Sequence, residues 1–390
     1  MGPVLRCGQG IAEMRIAIGI DVHKENCAAC AVYAGTGEPP QRHCDNLEKF
    51  NKDFRRFSSD AKGMKELAER IRDHDAYVLI ENSTKSHDVY WMLRNLDINV
   101  TVAHAADLYR ITKSKTKNDD NDATELAGYM RRRLMGEIEF AESHIPPQDV
   151  LLQRELCRFS LGDRSELSSL KRRIRSHILI RGLKLKREYD DIACAIALAE
   201  LKATGDHVLC LDAAKAESIK LREKQTERMI WHKMVGNRTF DIVWSIPGFG
   251  ILSAAYVTCM ADDMKRFEDG RSFAASTGIT PKLYESADRP KNCGISRRGD
   301  PDIRRLLCQA TYVHTLHADS FITEKYKRLK ARGKHHNEAL VACANSMARM
   351  VWAMVTEDRK YSADPTVLVK TRTLANSYDI EEAMEGAEKG

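Results

Sequence analysis

Between residues 15 and 103, short apolar runs alternate with amphipathic stretches, and this order restricts the possible folds more than any other feature of the chain. "RIAIGIDVHK" and "CAACAVY" read as two strands of a hairpin, followed by a turn at Gly35-Thr36-Gly37. After a polar segment, "DAKGMKELAERIRDH" places Met64, Leu67 and Ile71 at helical spacing. "AYVLIEN" is a short buried strand of parallel-sheet type, "DVYWMLRNL" a helix and "INVTVAH" a further strand. The order predicts an α/β domain on a mixed sheet. "NDDNDATELAGYMRRRLM" adds a helix with an acidic first turn and a basic last turn, as the helix dipole favours.

One residue conflicts with this pattern. Asp21 sits inside the first apolar run, in "IGIDVHK", where the strand is expected to be most buried. An unpaired buried charge costs several kcal/mol, roughly, so a cation is expected beside it. Three more carboxylates share this logic. Glu81 ends the strand "YVLIEN", and Asp119 and Asp122 lie three apart in "KTKNDDNDA", on one face of a first helical turn. Two acids on strands plus a D-x-x-D at a helix start can gather oxygen ligands for Mg²⁺. Two such ions about 3.5–4 Å apart could clamp both oxygens of a phosphodiester displacement. The plainer alternatives are an N-cap for Asp119 or Asp120 and a solvent-facing strand end for Glu81.

A chain of 390 residues accommodates two or three domains. Pro146-Pro147 marks a boundary, and a helical, strongly basic pattern runs from Val150 to about Leu201. A second helical stretch, "LDAAKAESIKLREKQTERMIWHKMV", could pair with it as an antiparallel hairpin or oligomerise as a coiled coil. The expected layout is an extension at 1–14, an α/β domain at 15–147, a helical spacer at 148–236, a helical domain at 237–358 and a polar tail at 359–390. "RGKHHNEALVACANSMARMVWAMV" is expected to close that last domain as a packing helix.

Net charge is +6 with local basic clusters, which permits an anionic partner. No stretch approaches the ~20 apolar residues of a membrane span, and the first residues do not read as a signal peptide. The 11 scattered cysteines suit reduced thiols in a cytoplasm. Cys27 and Cys30 form a CxxC on a strand, where i and i+3 face opposite sides and chelate poorly, so core thiols are expected there. "SIPGFGILSAA" has the form of a helix-hairpin-helix turn, in which Gly248 and Gly250 let backbone N–H groups meet a phosphate.

The acidic set in this order resembles the RNase H-like fold of RuvC-type nucleases. "IGID" also opens the actin-like ATPases, but "VHKENC" supplies no glycine for a phosphate loop. "GIDVHK", the strand-end Glu, D-x-x-D followed by Ala, "IPGFG", "FAASTGITP", a serine five residues after that Pro, and "GISRRGDPDIRRLL" then occur in one order, from about Arg15 to Val355. This string resembles the transposases of the insertion sequence 110 family, the DEDD-type serine transposases.

The resemblance implies an α/β plus α-helical chain: an N-terminal RuvC-like domain, a helical or coiled-coil spacer, and a C-terminal helical transposase domain. It implies Ser286 as nucleophile, with Asp21, Glu81, Asp119 and Asp122 as the acidic tetrad holding Mg²⁺. It further implies a prokaryotic cytoplasmic, nucleoid-associated protein that acts on element ends and target DNA, guided by a bridge RNA, as a dimer or tetramer. No membrane partner is expected. The active site is expected to be composite. The sequence departs from the family pattern at "SADR", where "SGG" or "SGK" is common, and at Thr84, where a glycine often follows the strand. Ser296 in "GISRRGD" is the rival serine.

The expected nucleic-acid footprint includes Lys171, Arg172, Arg173, Arg175, Arg181, Lys184, Lys186 and Arg187 on the spacer. Arg289, Arg297, Arg298, Arg304 and Arg305 extend it downstream, where the first three could also offset transition-state charge. Aromatics are sparse in the spacer segment, which favours backbone reading of a duplex or a folded RNA. The competing functions are a metal-dependent nuclease or junction resolvase without a covalent serine, and a non-catalytic nucleic-acid-binding scaffold.

Overall fold

The computed structural model describes residues 15–36, 41–103, 119–140, 142–284, 291–296 and 299–361. The chain divides into two compact units, Met1–Ile145 and Pro146–Gly390. Among the described residues it forms a five-stranded sheet, a two-stranded sheet and thirteen α-helices.

The first unit holds β1 (Arg15–Val22), β2 (Asn26–Tyr33), β3 (Arg56–Ser58), β4 (Asp75–Glu81) and β5 (Asn99–Ala103) in the order β3-β2-β1-β4-β5. β1 pairs antiparallel with β2 and parallel with β4, and β4 pairs parallel with β5, so the sheet is mixed as expected. Period-2 alternation assigns its two faces. Ile16, Ile18, Ile20, Val78 and Ile80 pack with Phe50, Phe54, Met64, Leu67, Val89 and Leu93. These partners come from or adjoin α1 (Gln41–Asp53), α2 (Ala61–Ile71) and α3 (Ser86–Arg94). On the other face Ala17, Leu79 and Ala103 meet Leu126, Tyr129 and Met130 of α4 (Asp119–Leu134).

The polar segment after the hairpin is a correction. It forms α1 and the edge strand β3, because Phe50, Phe54 and Phe57 give it enough buried apolar surface to dock. Asp60 caps α2, its side chain accepting from the Gly63 N–H at 2.9 Å.

The second unit starts with α5 (Gln148–Ile180), followed by α6 (Ala195–Ala203) and α7 (His207–Met234). The helical pattern read as continuous to Leu201 breaks after Ile180, where Gly182 turns the chain with φ +60°. α5 and α7 pair within the chain. Arg164 with Glu227, Asp163 with Arg222 and Glu166 with Lys215 fix an antiparallel register. Leu167, Leu170 and Ile174 bury against Leu209, Ala213, Ala216 and Ile219 in a core of the hairpin's own. At the other end Cys157, Leu161, Ile230 and Met234 join the main core of the unit.

That core is built by α8 (Arg238–Trp244), α9 (Ile251–Ala261), α10 (Gly270–Ser276), α11 (Pro301–His317), α12 (Phe321–Ala331) and α13 (His336–Thr356). A short antiparallel pair, β6 (Pro281–Tyr284) and β7 (Lys291–Ile295), precedes α11. α13 corrects the reading that no stretch approaches a membrane span, since it is long and apolar enough by length and composition. Its Ala339, Cys343, Ala344, Met347, Ala348, Val351 and Met354 are buried in the core, which accounts for the apolar content. The described cysteines are all free thiols, with Cys27 buried and Cys30 only partly so.

Candidate active site

The approach of α4 to β1 turns on one glycine. A Cβ placed on Gly19 would lie 2.2 Å from the Ala123 carbonyl oxygen and 2.3 Å from the Ala127 amide nitrogen. Only a residue without a side chain lets the backbone of α4 rest this closely on β1. Gly19 and Asp21 project to the same face, two residues apart on one strand. Asp122 immediately precedes Ala123, the residue whose carbonyl rests on Gly19.

The sheet register adds Glu81. The β1–β4 pairing runs to Ile20 opposite Ile80, and Asp21 and Glu81 follow at the carboxyl ends of these neighbouring parallel strands. Leu79 faces α4, and Glu81 shares its face. Asp21, Glu81 and Asp122 therefore lie on the α4 side of one strand end. Asp119 opens α4, with its side chain outside the described residues.

Asp21 is less enclosed than the sequence suggested. It stands at the end of β1, its side chain is 18% exposed, and His23 Nε2 lies 3.0 Å from its Oδ2. Lys85, at the start of α3, donates from Nζ to the Lys24 carbonyl and to Ser59 Oγ, both at 2.8 Å, and ties down the β1–β2 turn. Burial pushes the Cys27 thiol up to about 12, with the Lys85 charge pulling it down and the Asp21 charge pushing it up. An ammonium and an imidazole thus adjoin the acidic end. His23 was legible from its i+2 spacing to Asp21, whereas the reach of Lys85 depends on the fold.

The donor set is all carboxylate oxygen, the type that hard divalent cations take. Among the described residues no group of three His, Cys, Asp or Glu side chains is drawn together closely enough to hold a metal. The acids fit such an ion in chemistry and in face.

In the second unit, the expected "IPGFG" turn joins α8 to α9, and its two glycines differ. Gly248 has φ +104°, and a Cβ there would lie 2.2 Å from the Ala310 carbonyl oxygen, so it seats the turn on α11. Gly250 caps α9, and a Cβ there would meet open space. His314 secures the turn from α11. It is buried, Nδ1 lies 2.8 Å from the Pro247 carbonyl and Nε2 lies 2.8 Å from Ser320 Oγ. Burial depresses the His314 imidazole below its ordinary value despite the bond to Pro247.

Asp300 caps α11 and gathers a network from three elements. Its Oδ2 accepts from Tyr256 Oη at 2.8 Å and from Arg158 Nη2 at 3.0 Å. Burial pulls this carboxyl upward, but the bonds from Arg158 and Tyr256 hold it below the usual carboxylate range. Ser286, Arg289, Arg297 and Arg298 lie outside the described residues. Arg304 donates to the Gly299 carbonyl at 3.0 Å, and Arg305 pairs with Asp302 at 3.0 Å.

The spacer cations are largely engaged within the hairpin. Lys171 pairs with Asp191 at 2.9 Å, Arg173 with the buried Asp212, and Arg181 with Asp206. Arg175 donates to the Asp190 carbonyl and Arg172 to Ser169 Oγ. Lys184, Lys186 and Arg187 are exposed, with the Arg187 guanidinium 4.8 Å from the centre of the Tyr189 ring.

Comparison with known proteins adds an independent line. A model of the IS110-type DEDD transposase domain matches residues 18–180, and the model described as Transposase IS116/IS110/IS902 family matches residues 241–328. The chain is 30% identical over 141 residues to the transposase for insertion sequence element IS1328 of Yersinia enterocolitica, covering 36% of this chain and 42% of that protein. It is 26% identical over 250 residues to the transposase for IS1111A of Coxiella burnetii, covering 63% and 68%. A Sinorhizobium fredii protein, y4qE, is 22% identical over a 401-residue alignment that takes in 92% of this chain and 94% of its own. The chain thus spans less than half of the first relative and about two thirds of the second. The two family matches follow the order of the two units and together take in more than half of the sequence, and on that footing the chain belongs to the IS110 family of insertion-sequence transposases.

Proposed function

We propose that the protein is a DNA transposase that cuts and rejoins phosphodiesters at the ends of an insertion sequence and at its target. The observation that carries this reading is the placement of Asp21 and Glu81 at the ends of neighbouring parallel strands, on the face where Gly19 lets α4, which opens with Asp119 and Asp122, approach β1. Asp21, Glu81, Asp119 and Asp122 would hold the divalent cation, taken as Mg²⁺ from its preference for carboxylate oxygen. When bound, the cation supplies positive charge to the phosphate oxygens. His23 and Lys85 steady the first acid and the turn beside it.

Ser286 is the proposed nucleophile. Its Oγ attacks phosphorus, one P–O bond forms to serine and one breaks to the departing strand, and the serine proton ends on the departing oxygen. In strand transfer a hydroxyl of the joining strand attacks the same phosphorus, and Ser286 leaves and recovers a proton. Phosphodiester energy is conserved in the protein–DNA link, so rejoining needs no external energy source. Arg289, Arg297 and Arg298 offset charge on the phosphate, and Gly250 and the exposed spacer cations contact backbone. A bridge RNA as guide and a dimer or tetramer as the working form complete the reading, carried by the family resemblance.

The test is to incubate the full chain with cognate element DNA and Mg²⁺, denature it, and resolve protein–DNA adducts. The expected result is an adduct that Ser286→Ala abolishes and Asp21→Asn lowers by at least about 100-fold. Without Mg²⁺, Asp21→Asn should melt at the same temperature as the parent or higher, because it relieves carboxylate repulsion. Cleavage unchanged in Ser286→Ala would replace this mechanism with that of a metal-dependent nuclease or junction resolvase. Full activity in Asp21→Asn would remove the metal site.

A further inference from the structure

We propose that the end of α12 and the turn joining it to α13 form a docking surface for the phosphate backbone of duplex DNA, built from residues other than those of the spacer. The proposal rests on the reading that DNA is the substrate. Residues 325–337, "KYKRLKARGKHHN", contain six Lys or Arg and no acid. Lys327, Arg328, Lys330, Arg332 and Lys334 are all exposed.

Lys325 shows what a structural cation looks like in the same helix. It turns inward and donates from Nζ to the Ala342 carbonyl at 2.8 Å and to Ser346 Oγ at 2.7 Å, docking α12 on α13. Burial lowers its pKa, and the charges of Arg349 and Arg328 add to that effect. Of the five exposed cations, Lys334 has an acidic partner, Glu338 at 3.3 Å. The other four form no ion pair among the described residues. In the spacer, by contrast, Lys171, Arg173 and Arg181 face Asp191, Asp212 and Asp206.

A helix C-terminus favours basic residues, but its dipole amounts to only about half a charge. It does not account for five cations in eight residues. Lys327 with Lys330 and Arg328 with the C-cap Arg332 stand at three- and four-residue spacing, where like charges oppose the helix. An arrangement that works against folding is explained by a bound polyanion. The face suits phosphate rather than unpaired bases. Tyr326 and His336 bond to each other at 2.7 Å and Leu329 packs on the core, so beside its five exposed cations the segment presents one exposed ring, the His335 imidazole, too few for a stacking track. Lys327 to Ala331 rises roughly 6 Å along the helix, and the turn at Gly333 places Arg332 and Lys334 at its end, a compact cluster matched to about three phosphates of one strand.

The test uses the full-length chain and a labelled random-sequence DNA duplex, with binding measured across a salt series. In the variant Lys327→Gln, Arg328→Gln, Lys330→Gln, Arg332→Gln, the slope of log affinity against log salt should shrink by about 3, and affinity near 0.15 M salt should fall at least about 10-fold. The melting temperature should hold or rise, since these side chains are exposed and their removal relieves like-charge repulsion. The charge-preserving variant Lys327→Arg, Lys330→Arg should keep the parental slope.

An unchanged slope in the fourfold variant overturns the proposal. So does an equal drop in a control that removes four exposed cations elsewhere, Lys49→Gln, Lys52→Gln, Lys62→Gln, Lys65→Gln. Loss of binding to an RNA hairpin with duplex DNA binding intact would also overturn it, by assigning the surface to RNA. Adduct formation by Ser286 is read in a separate assay, so failure of either result is distinguishable from failure of the other.

Discussion

Gly19 and Gly248 do similar work in two unlike units. Each lets a helix carbonyl come to 2.2 Å from where a Cβ would stand: Ala123 of α4 above the sheet, and Ala310 of α11 behind the "IPGFG" turn. They differ in backbone. Gly248 has φ +104°, so a side chain there would meet both a clash and conformational strain, whereas Gly19 is an ordinary strand residue that lacks only space. They also differ in what the contact achieves. In the sheet it brings the acidic first turn of α4 over the strand that carries Asp21. In the helical unit it fixes the shape of a turn. The same steric device therefore assembles chemistry in one unit and architecture in the other.

Three experiments break or sharpen that contrast. The largest effect is expected from Gly248→Ala, which should destabilise the second unit by about 3 kcal/mol or more, from strain and overlap together. Denaturant unfolding followed by fluorescence separates the units, because Trp91 belongs to the first and Trp231, Trp244 and Trp352 to the second. Variants keeping Trp91 alone or lacking it alone would assign each transition. Gly19→Ala should cost the first unit about 1–3 kcal/mol. It should also abolish strand cleavage, because α4 must lift from β1. A variant with parental stability and activity would show that α4 does not rest on Gly19.

The smallest effect is in pH. His314 has its folded pKa depressed, so the unfolded chain binds the proton first. Stability of the second unit should fall as pH drops below about 6.5, with a slope of at most about 1.4 kcal/mol per pH unit. Asp300 is held low, and its contribution is lost only as pH falls further, through its own folded value. His314→Gln should flatten the first window and leave the second. An equal slope in parent and variant would detach the turn from this histidine.

Much of the first unit was legible in the sequence because its strands are short apolar runs between helices of clear period. α1 was not, since Leu47 and Phe50 are scattered among Lys, Glu and Asn, and only contact with the sheet gives the segment a buried face. The break at Gly182 was hidden by good helix formers on both sides. Of the site, the acids at strand ends were legible from position alone. The reason for Gly19 was not, because it depends on which helix crosses the strand. The spacer cations were misleading for a related reason: Arg173 meets Asp212 and Lys171 meets Asp191 only once α5 folds back. A basic run in sequence and a basic surface are the same thing only where no acid returns to cover it, and α12 meets that condition better than α5.

The α5–α7 hairpin has a consequence for how such chains can vary. Its chain enters and leaves at the rooted end, where Cys157 and Leu161 meet Ile230 and Met234, and its outer half carries a core of its own. Matched insertions or deletions in both arms therefore leave the root undisturbed. Each added turn carries the tip outward by about 5.4 Å. The hairpin is an adjustable spar, whose length can drift over generations while everything at its base stays in register.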